Sequence, residues 1–264
     1  MELQTTKMLA EQGDGIGWMI FNHPERRNAL SVEMQEAIPE ILGAYAADDS
    51  VRVVVMKGAG DKAFVSGADI SEFEARRSSP ALIEEYNAIM RRASESFESL
   101  GKPLIAMIRG FAMGGGLITA MRADLRVASE DSQFGIPAAR LGIGYGYDGV
   151  RQLVGLVGPA NAREILYTGG RFSAAEALHM GLVNRVVPAG ELEATVRTLA
   201  GTIAENAPLT LQLVKLAISE AGKDAERRDL GRVQALVERC MASEDYKEGR
   251  RAFLEKRRPE FTGR

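Results

Sequence analysis

The chain has 264 residues, 45% hydrophobic and 26% charged, an ordinary globular composition that allows one large domain or two small ones. A net charge of −3 gives no electrostatic reason to expect nucleic acid or an acidic membrane surface as a partner. The single cysteine excludes an internal disulfide, and the two histidines form no Cys/His cluster for a metal. No apolar run approaches the roughly 18 residues that span a bilayer, and the first residues lack a signal-peptide pattern. We therefore expect a metal-free cytoplasmic protein.

A hairpin pattern and a helix cap mark the first predicted elements. Residues 7–12 and 16–22 have strand-like sequences, and the turn Gly13–Gly15 between them favours a hairpin. Ser31 belongs to the residue types that cap helices, and the helical pattern after it runs to about Ala47. The chain is thus predicted to begin with a β-hairpin followed by a helix.

Two apolar strands farther on each lead into a turn that contains glycine. Val51–Met56 is followed by Ala63–Ile70, a second strand that ends in such a turn, and Leu104–Ile108 leads to Gly114–Gly116 and a helix over Leu117–Met121. Glycine lets bare backbone N–H groups approach a ligand, and the first turn of a helix has unpaired donors. Two such turns could bring two donors to one oxygen. For the glycine triplet by itself, a closely packed strand-to-helix turn is the simpler interpretation.

The rest of the chain alternates between strand and helix patterns before it becomes mostly helical. This alternation predicts an α/β core with crossover connections. We expect the core over residues 1–200 and a helical region over residues 201–264. The remaining predicted elements are a helix through Leu82–Met90, strands at Leu125–Ala128 and Asn184–Val187, helices from Pro159 onward, and closing helices over residues 208–254.

Together these segments resemble the crotonase (enoyl-CoA hydratase/isomerase) superfamily, and the resemblance covers nearly the whole chain. It implies an α/β fold, a crotonase-type spiral of ββα units with a helical C-terminal trimerisation region. It also implies a homotrimer, or a hexamer built from two trimers. The resemblance is carried, in order, by Asn22–Leu30, Ser66–Ile70, Lys102–Ala106, Gly110–Gly116, Gln133–Pro137, Leu141–Ile143, Gly170–Pro188 and Phe253–Arg258.

The resemblance places an oxyanion hole at the backbone N–H groups of Ala68 and Gly115. In the family these two donors bind the thioester carbonyl of an acyl-CoA and stabilise the enolate that forms at its α-carbon. An oxygen that gains charge in the transition state is stabilised there more than in the ground state. The implied ligand is therefore an acyl-CoA substrate, with coenzyme A as part of the substrate and no separate cofactor.

Further positions match family residues that contact coenzyme A. Ser66, Asp69 and Ile70 match the loop that contacts adenine, and Arg27 matches a basic position near the phosphates and pantetheine. Lys256 matches a lysine that reaches the CoA phosphates on a neighbouring subunit. Without the resemblance, the charge runs around Arg27 and Lys256 would be taken as solvated surface.

The sequence departs from the hydratase pattern at the two acid/base positions. Family hydratases carry one glutamate two residues after the glycine triplet and another directly after the Gln-Phe-Gly-x-Pro motif. This chain has Ile118 and Ala138 at those positions, and neither side chain can transfer a proton. Family isomerases keep the second glutamate, so the sequence does not favour simple isomerisation either. The expected oxyanion hole is kept while the usual acid and base are absent.

Asp148 is the only carboxylate in the loop Gly142–Gly149, which follows the second of these positions. If it is partly desolvated, it could exchange a proton with the substrate. The alternative is that Asp148 caps a helix beginning near Gly149. Tyr145 and Tyr147 could donate hydrogen bonds or shape the acyl pocket, although packing is the simpler role for both.

A second source of a proton-transfer group is the segment that often forms a mobile wall of the acyl pocket in this family. It contains Glu72, Glu74, Glu84 and Glu85. Any one of them could reach the substrate, and nothing in the sequence selects which.

Three functions remain open at this stage. The resemblance favours an enoyl-CoA hydratase/isomerase-family lyase that acts at the α and β carbons. Decarboxylation of a malonyl-type CoA thioester is the second, because it needs only enolate stabilisation and a proton donor. Tyr145 lies where methylmalonyl-CoA decarboxylases carry a tyrosine, but those enzymes have histidine at the position of Ala68. The third is a CoA-thioester-binding protein without catalysis.

Overall fold

The computed structural model describes residues 3–72 and 79–264, and only the backbone of Ile70. Strands and helices alternate as far as β10, and the segment 188–264 contains only helical elements and connecting turns. The strands are β1 Met8–Gly13, β2 Ile16–Phe21, β3 Val53–Gly58, β4 Ala63–Val65, β5 Leu104–Ile108, β6 Phe111–Met113, β7 Leu125–Ser129, β8 Gln133–Gly135, β9 Phe172–Ser173 and β10 Arg185–Val187. The helices are α1 Val32–Ala47, α2 Pro80–Ser99, α3 Gly115–Met121, α4 Ala138–Leu141, α5 Tyr147–Thr168, α6 Ala174–His179, α7 Leu192–Ala204, α8 Pro208–Ala221, α9 Leu230–Ala242 and α10 Glu244–Glu255.

A six-stranded sheet in the order β1-β2-β3-β5-β7-β10 is the centre of the fold. The predicted hairpin is confirmed, since β1 and β2 pair antiparallel, while the pairs from β2 to β10 are all parallel. Parallel sheets need cover on both faces. One face carries the larger core, which includes residues of α1 and α3, and α7 covers the other with buried Leu192, Val196 and Ala200.

A second sheet, in the order β4-β6-β8-β9, lies beside the first and brings the site together. Its strands have two or three residues each, so most of them leave no periodic signal in the sequence. Strands β4, β6 and β8 pair in parallel, so their carboxyl ends share one edge. The turns that follow β4 and β6 therefore become neighbours.

Local signals set several helix ends as the sequence predicts. Ser31 is the N-cap of α1, and its Oγ accepts a 3.4 Å hydrogen bond from the N–H of Met34. Pro159 does follow a helix break, at Gly158 with φ of 72°, but the helix α5 already begins at Tyr147. None of the described helices is long and apolar enough to cross a membrane.

Candidate active site

The three consecutive glycines after β6 have three different structural roles. Gly114 has φ of 49° and ψ of −117°, a backbone conformation that a side chain strongly disfavours, and it is the N-cap of α3. A Cβ on Gly116 would lie 2.0 Å from the carbonyl oxygen of Val65, so α3 packs directly on β4 there. Gly115 begins the helix, where the backbone N–H has no intrahelical acceptor. The triplet therefore both packs the helix closely and exposes an N–H.

The backbone of Ala68 is oriented by a single parallel bridge to Leu30. The N–H of Leu30 donates to the Gly67 carbonyl at 2.8 Å, and the N–H of Asp69 donates to the Leu30 carbonyl at 2.8 Å. In a parallel bridge of this form, the bonds flank the central residue, so the N–H of Ala68 faces away from Leu30. Among the described residues, no acceptor is found for the Ala68 N–H or the Gly115 N–H.

The two turns approach each other closely. A Cβ placed on Gly115 would lie 3.4 Å from the backbone nitrogen of Ala68 and 3.7 Å from Cδ1 of Leu30. The predicted neighbourhood of Ala68 and Gly115 is therefore present in the structure. Two neighbouring N–H groups without an acceptor among the described residues are able to donate to one carbonyl oxygen, as the donors of an oxyanion hole do.

Ala68 and Gly115 line a cavity of about 100 Å³ with a mostly apolar wall. Helix α3 contributes one face to it, because Gly115, Ile118, Thr119 and Arg122 follow helical spacing. Helix α2 forms the opposite wall, and α1 contributes its first turn. The lining residues from α2 are Tyr86, Met90, Ala93, Ser94 and Phe97.

The side chains at the two predicted glutamate positions are both apolar and partly buried. Ile118 lines the cavity one helical turn after Gly115. Ala138 begins α4 and packs against the main core. Neither residue supplies a titratable group.

Asp148 does not occupy the environment that the sequence suggested. It lies in the first turn of α5 and is exposed, so the expected desolvation is absent. The capping alternative is wrong, because α5 begins at Tyr147 with Gly146 as its N-cap and no side-chain capping bond. Asp148 is also not among the residues that line the cavity. A catalytic role for Asp148 stays a prediction, and neither burial of the side chain nor a place on the cavity wall supports it.

Tyr145 packs against the main core, whereas Tyr147 is 77% exposed. The hydroxyl of Tyr145 is buried, and no hydrogen-bond partner for it lies within the described residues. Burial raises the pKa of Tyr145 to about 12, and the positive charge of Arg122 partly opposes that rise. The Tyr145 hydroxyl is therefore a neutral donor that has no partner among the described residues.

Two predicted CoA contacts, Arg27 and Ser66, lie together at the carboxyl end of β4. The N–H of Ser66 donates to the Arg27 carbonyl at 3.1 Å, and the exposed Arg27 guanidinium lies 5.5 Å from the ring centre of Phe111. Asp69 accepts from the N–H of Ser71 at 3.0 Å and from its hydroxyl at 2.6 Å, and these bonds lower the Asp69 pKa.

The other two predicted CoA contacts are Ile70 and Lys256. The side chain of Ile70 lies outside the described residues. Lys256 ends α10 in a left-handed conformation with φ of 54° and is exposed. It is absent from the cavity wall, which leaves the predicted contact with a neighbouring subunit as a prediction.

Of the four glutamates in the segment before and within α2, the structure singles out one. Glu72 lines the cavity, and its Oε2 accepts a 2.8 Å hydrogen bond from the N–H of Val32, the first residue of α1. Glu84 and Glu85 are exposed, and Glu74 lies outside the described residues. The sequence contained no signal for this choice, because the bond joins positions 40 residues apart.

Across residues 3–72 and 79–264, no group of three His, Cys, Asp or Glu side chains is arranged to hold a metal ion. The polar atoms at the cavity are backbone N–H groups and isolated side chains. This arrangement can polarise a carbonyl group and can hold the apolar chain attached to it.

Comparisons with known proteins find relatives over nearly the whole chain. A model of the family described as enoyl-CoA hydratase/isomerase matches residues 11–264. The chain is 35% identical over 254 residues to a crotonyl-CoA hydratase of Syntrophomonas wolfei, covering 96% of this chain and 97% of that protein. It is 34% identical over 258 residues to a short-chain-enoyl-CoA hydratase of Clostridium acetobutylicum, covering 98% of each. The solved structure of an enoyl-CoA hydratase/carnithine racemase from Magnetospirillum magneticum superposes with a TM-score of 0.91 at 33% identity, covering 99% of this chain and 97% of that one.

Proposed function

Because this chain belongs to the enoyl-CoA hydratase/isomerase family, we propose that it binds an acyl-CoA thioester and acts at the α and β carbons through an enolate. The thioester oxygen accepts hydrogen bonds from the N–H groups of Ala68 and Gly115. The acyl chain lies along α3 and α2. Coenzyme A belongs to the substrate, and the chemistry needs no additional cofactor.

The observation that carries this proposal is the approach of two unpaired N–H groups at the wall of one apolar cavity. Ala68 is held by its bridge to Leu30, and Gly115 by the first turn of α3. Both donors are fixed before substrate arrives, so they need little reorganisation when charge develops on the oxygen. Removing one donor from such a hole costs roughly 3–4 kcal/mol of transition-state stabilisation.

Coenzyme A is proposed to bind along the loop that leads to this hole. Ser66, Asp69 and Ile70 would contact the adenine group, and Arg27 would contact phosphate. The positions of Arg27 and Ser66 support this, because a backbone hydrogen bond joins them next to the strand that ends at Val65. Lys256 would reach the phosphates of CoA bound to a second copy of the chain.

Hydration of an enoyl-CoA is the reaction suggested by the named relatives, which include a crotonyl-CoA hydratase. With Ile118 and Ala138 in place of acid and base, we expect this chain to hydrate short enoyl-CoA thioesters slowly. General acid–base help is typically worth 10²–10⁴-fold for each positioned group.

Decarboxylation of a malonyl-type thioester is a second candidate, favoured by the apolar Ile118 beside the donors. In that reaction the bond between the α-carbon and the carboxylate breaks, and carbon dioxide leaves. The electron pair forms an enolate held by the same two N–H groups, and the α-carbon then takes a proton. No water has to be activated, so the apolar wall is compatible with this route.

The test is to incubate the protein with a panel of enoyl-CoA and malonyl-type CoA thioesters and to follow masses. A gain of 18 mass units would indicate hydration, and a loss of 44 would indicate decarboxylation. Binding of every thioester without a mass change would favour the non-catalytic function. Failure to bind any CoA thioester would overturn the proposal.

A further inference from the structure

We propose that Glu72 is the group that carries the proton to and from the α-carbon of the bound thioester. This inference rests on the proposed function, because it requires an enolate at the hole formed by Ala68 and Gly115. It assigns the acid/base role to a residue outside the two positions at which the chain has Ile118 and Ala138.

Glu72 is one of two carboxylates on the described part of the cavity wall, and Asp69 is the other. The two differ in what holds them. The Oδ1 atom of Asp69 accepts two hydrogen bonds from Ser71, at 3.0 and 2.6 Å, and these bonds lower the Asp69 pKa. Asp69 is therefore held as an anion that binds a proton weakly. Among the described contacts, Glu72 accepts one hydrogen bond, through Oε2 from the N–H of Val32, so it is the less constrained of the two carboxylates.

The position of Glu72 is fixed relative to the oxyanion hole by backbone contacts. Its Oε2 accepts a 2.8 Å bond from the N–H of Val32. Val32 lies two residues after Leu30, which is bridged to Ala68 and would contact a Cβ on Gly115 at 3.7 Å. The Glu72 carboxylate and the backbone of Ala68 are therefore both tied to one short segment, residues 30–32.

The hydrogen bond from Val32 orients the carboxylate through Oε2, and Oε1 accepts no hydrogen bond from the residues that the structure describes. Val32 is the first residue of α1, so the bond also places the carboxylate at a helix N-terminus. The side chain is half-buried, while Glu84 and Glu85 on α2 are exposed. A held, partly shielded carboxylate facing an apolar cavity is suited to proton transfer.

The chemistry balances with this one group. The Glu72 carboxylate takes a proton from the α-carbon, and the C–H electron pair becomes the enolate whose oxygen is held by the two N–H groups. Return of the proton to the α-carbon restores the thioester. In hydration, the water oxygen bonds to the β-carbon, the water proton passes to Glu72, and Glu72 then protonates the α-carbon.

The competing interpretation is that Glu72 only caps α1. Glu72→Gln separates the two roles, because the amide oxygen can still accept from Val32 while the side chain can no longer exchange a proton. Glu72→Ala removes both. Glu84→Gln is the matched control, since Glu84 is exposed and its ion-pair contact with Arg91 is 3.9 Å long.

The experiment measures exchange of the α-proton of a saturated short-chain acyl-CoA in deuterium oxide, by mass, together with melting temperature. Glu72→Gln is expected to lower the exchange rate about 10²–10⁴-fold with little change in melting temperature. Glu84→Gln is expected to exchange like the unmodified chain. Exchange retained by Glu72→Gln, or lost by Asp148→Asn instead, would overturn the proposal.

A chromophoric enoyl-CoA distinguishes this failure from failure of the proposed function. If the unmodified chain shifts the spectrum of the bound thioester but exchanges no α-proton, the oxyanion hole stands and the role of Glu72 is refuted. If the chain neither binds nor polarises the thioester, both proposals fall. Glu72→Gln is expected to keep the spectral shift.

Discussion

A Cβ added to Gly115 would lie 3.4 Å from the backbone nitrogen of Ala68, which leaves ordinary contact distance for a methyl group. The added methyl group would therefore lie near the backbone nitrogens of both proposed donors, and an oxyanion has to sit about 2.7–3.1 Å from each of them. The relationship makes Gly115→Ala a mild change for the fold and a severe one for the site.

Gly115→Ala is expected to fold normally, because alanine favours a helix more than glycine does. The added methyl group displaces the thioester oxygen, so the spectral shift of a bound chromophoric enoyl-CoA should disappear. Gly115→Pro, which removes the N–H itself, should have the same effect. An unchanged shift in both variants would refute the assigned donor. Gly116→Ala should instead destabilise the fold, since its Cβ would lie 2.0 Å from the Val65 carbonyl.

Ile118→Glu is expected to increase hydration of a short enoyl-CoA. The side chain at 118 lines the cavity one turn from Gly115, so a carboxylate there can activate water. A gain of 10²-fold or more is expected for one added acid/base group. Ile118→Gln is the control with a similar shape and no proton transfer. A high rate in the unmodified chain, close to that of relatives with both glutamates, would contradict the basis of this prediction.

Tyr145→Phe is expected to stabilise the protein by about 1 kcal/mol, because it removes a buried hydroxyl that has no partner within the described part of the chain. Burial raises the pKa of Tyr145 to about 12, above its ordinary value of 10.0. The hydroxyl therefore loses its proton at a lower pH in the unfolded chain than in the folded one. The free energy of unfolding of the unmodified chain is unaffected by the ionisation of this group below pH 10 and falls as the pH rises from 10 to about 12. The advantage of the variant should grow over that range in denaturant titrations. A fall in turnover with unchanged stability would instead assign the hydroxyl to the substrate.

Glu248→Gln is expected to destabilise the end of α10 next to Lys256. Arg257 donates to the Glu248 carboxylate at 2.6 and 3.0 Å, and the N–H of Glu260 donates at 3.1 Å. These contacts hold the pKa of Glu248 well below its ordinary value of 4.5, and the hydrogen bonds from Arg257 have the largest effect. The stabilisation is present above pH 4.5 and is lost as the pH falls below it. Melting temperatures of the two proteins should therefore converge in acid; a constant difference would contradict this.

Self-association through the C-terminal helices is the expected quaternary structure. Large apolar side chains there are exposed in the single chain, with Ile218 at 68%, Leu230 at 64%, Phe253 at 83% and Leu254 at 79%. Exposed apolar area of this kind marks an interaction surface. Light scattering at micromolar concentration should give a trimer or a hexamer, and Phe253→Glu should lower the mass. A strictly monomeric mass for the unmodified chain would refute the prediction.

Periodic and capping signals made much of the fold predictable. The strand Leu104–Ile108 and the helix after Ser31 have the predicted bounds within a residue, because both depend on local sequence. The segments of β6, β8 and β9 were not predicted as strands, because two or three residues cannot show a period. Their pairing is parallel between β6 and β8 and antiparallel between β8 and β9, and it depends on contacts between distant parts of the chain.

The sequence by itself determined the family pattern, the glycine triplet and the absence of glutamate at 118 and 138. It could name Ala68 and Gly115 because the resemblance to the family places two backbone donors there, and the glycine-containing turns after two strands are compatible with that assignment. Only the tertiary structure decided which carboxylates line the cavity, since burial and hydrogen bonding arise between elements far apart in sequence. Asp148 is exposed on the first turn of α5, whereas Glu72 is fixed on the cavity wall by the backbone of Val32, 40 residues earlier in the chain.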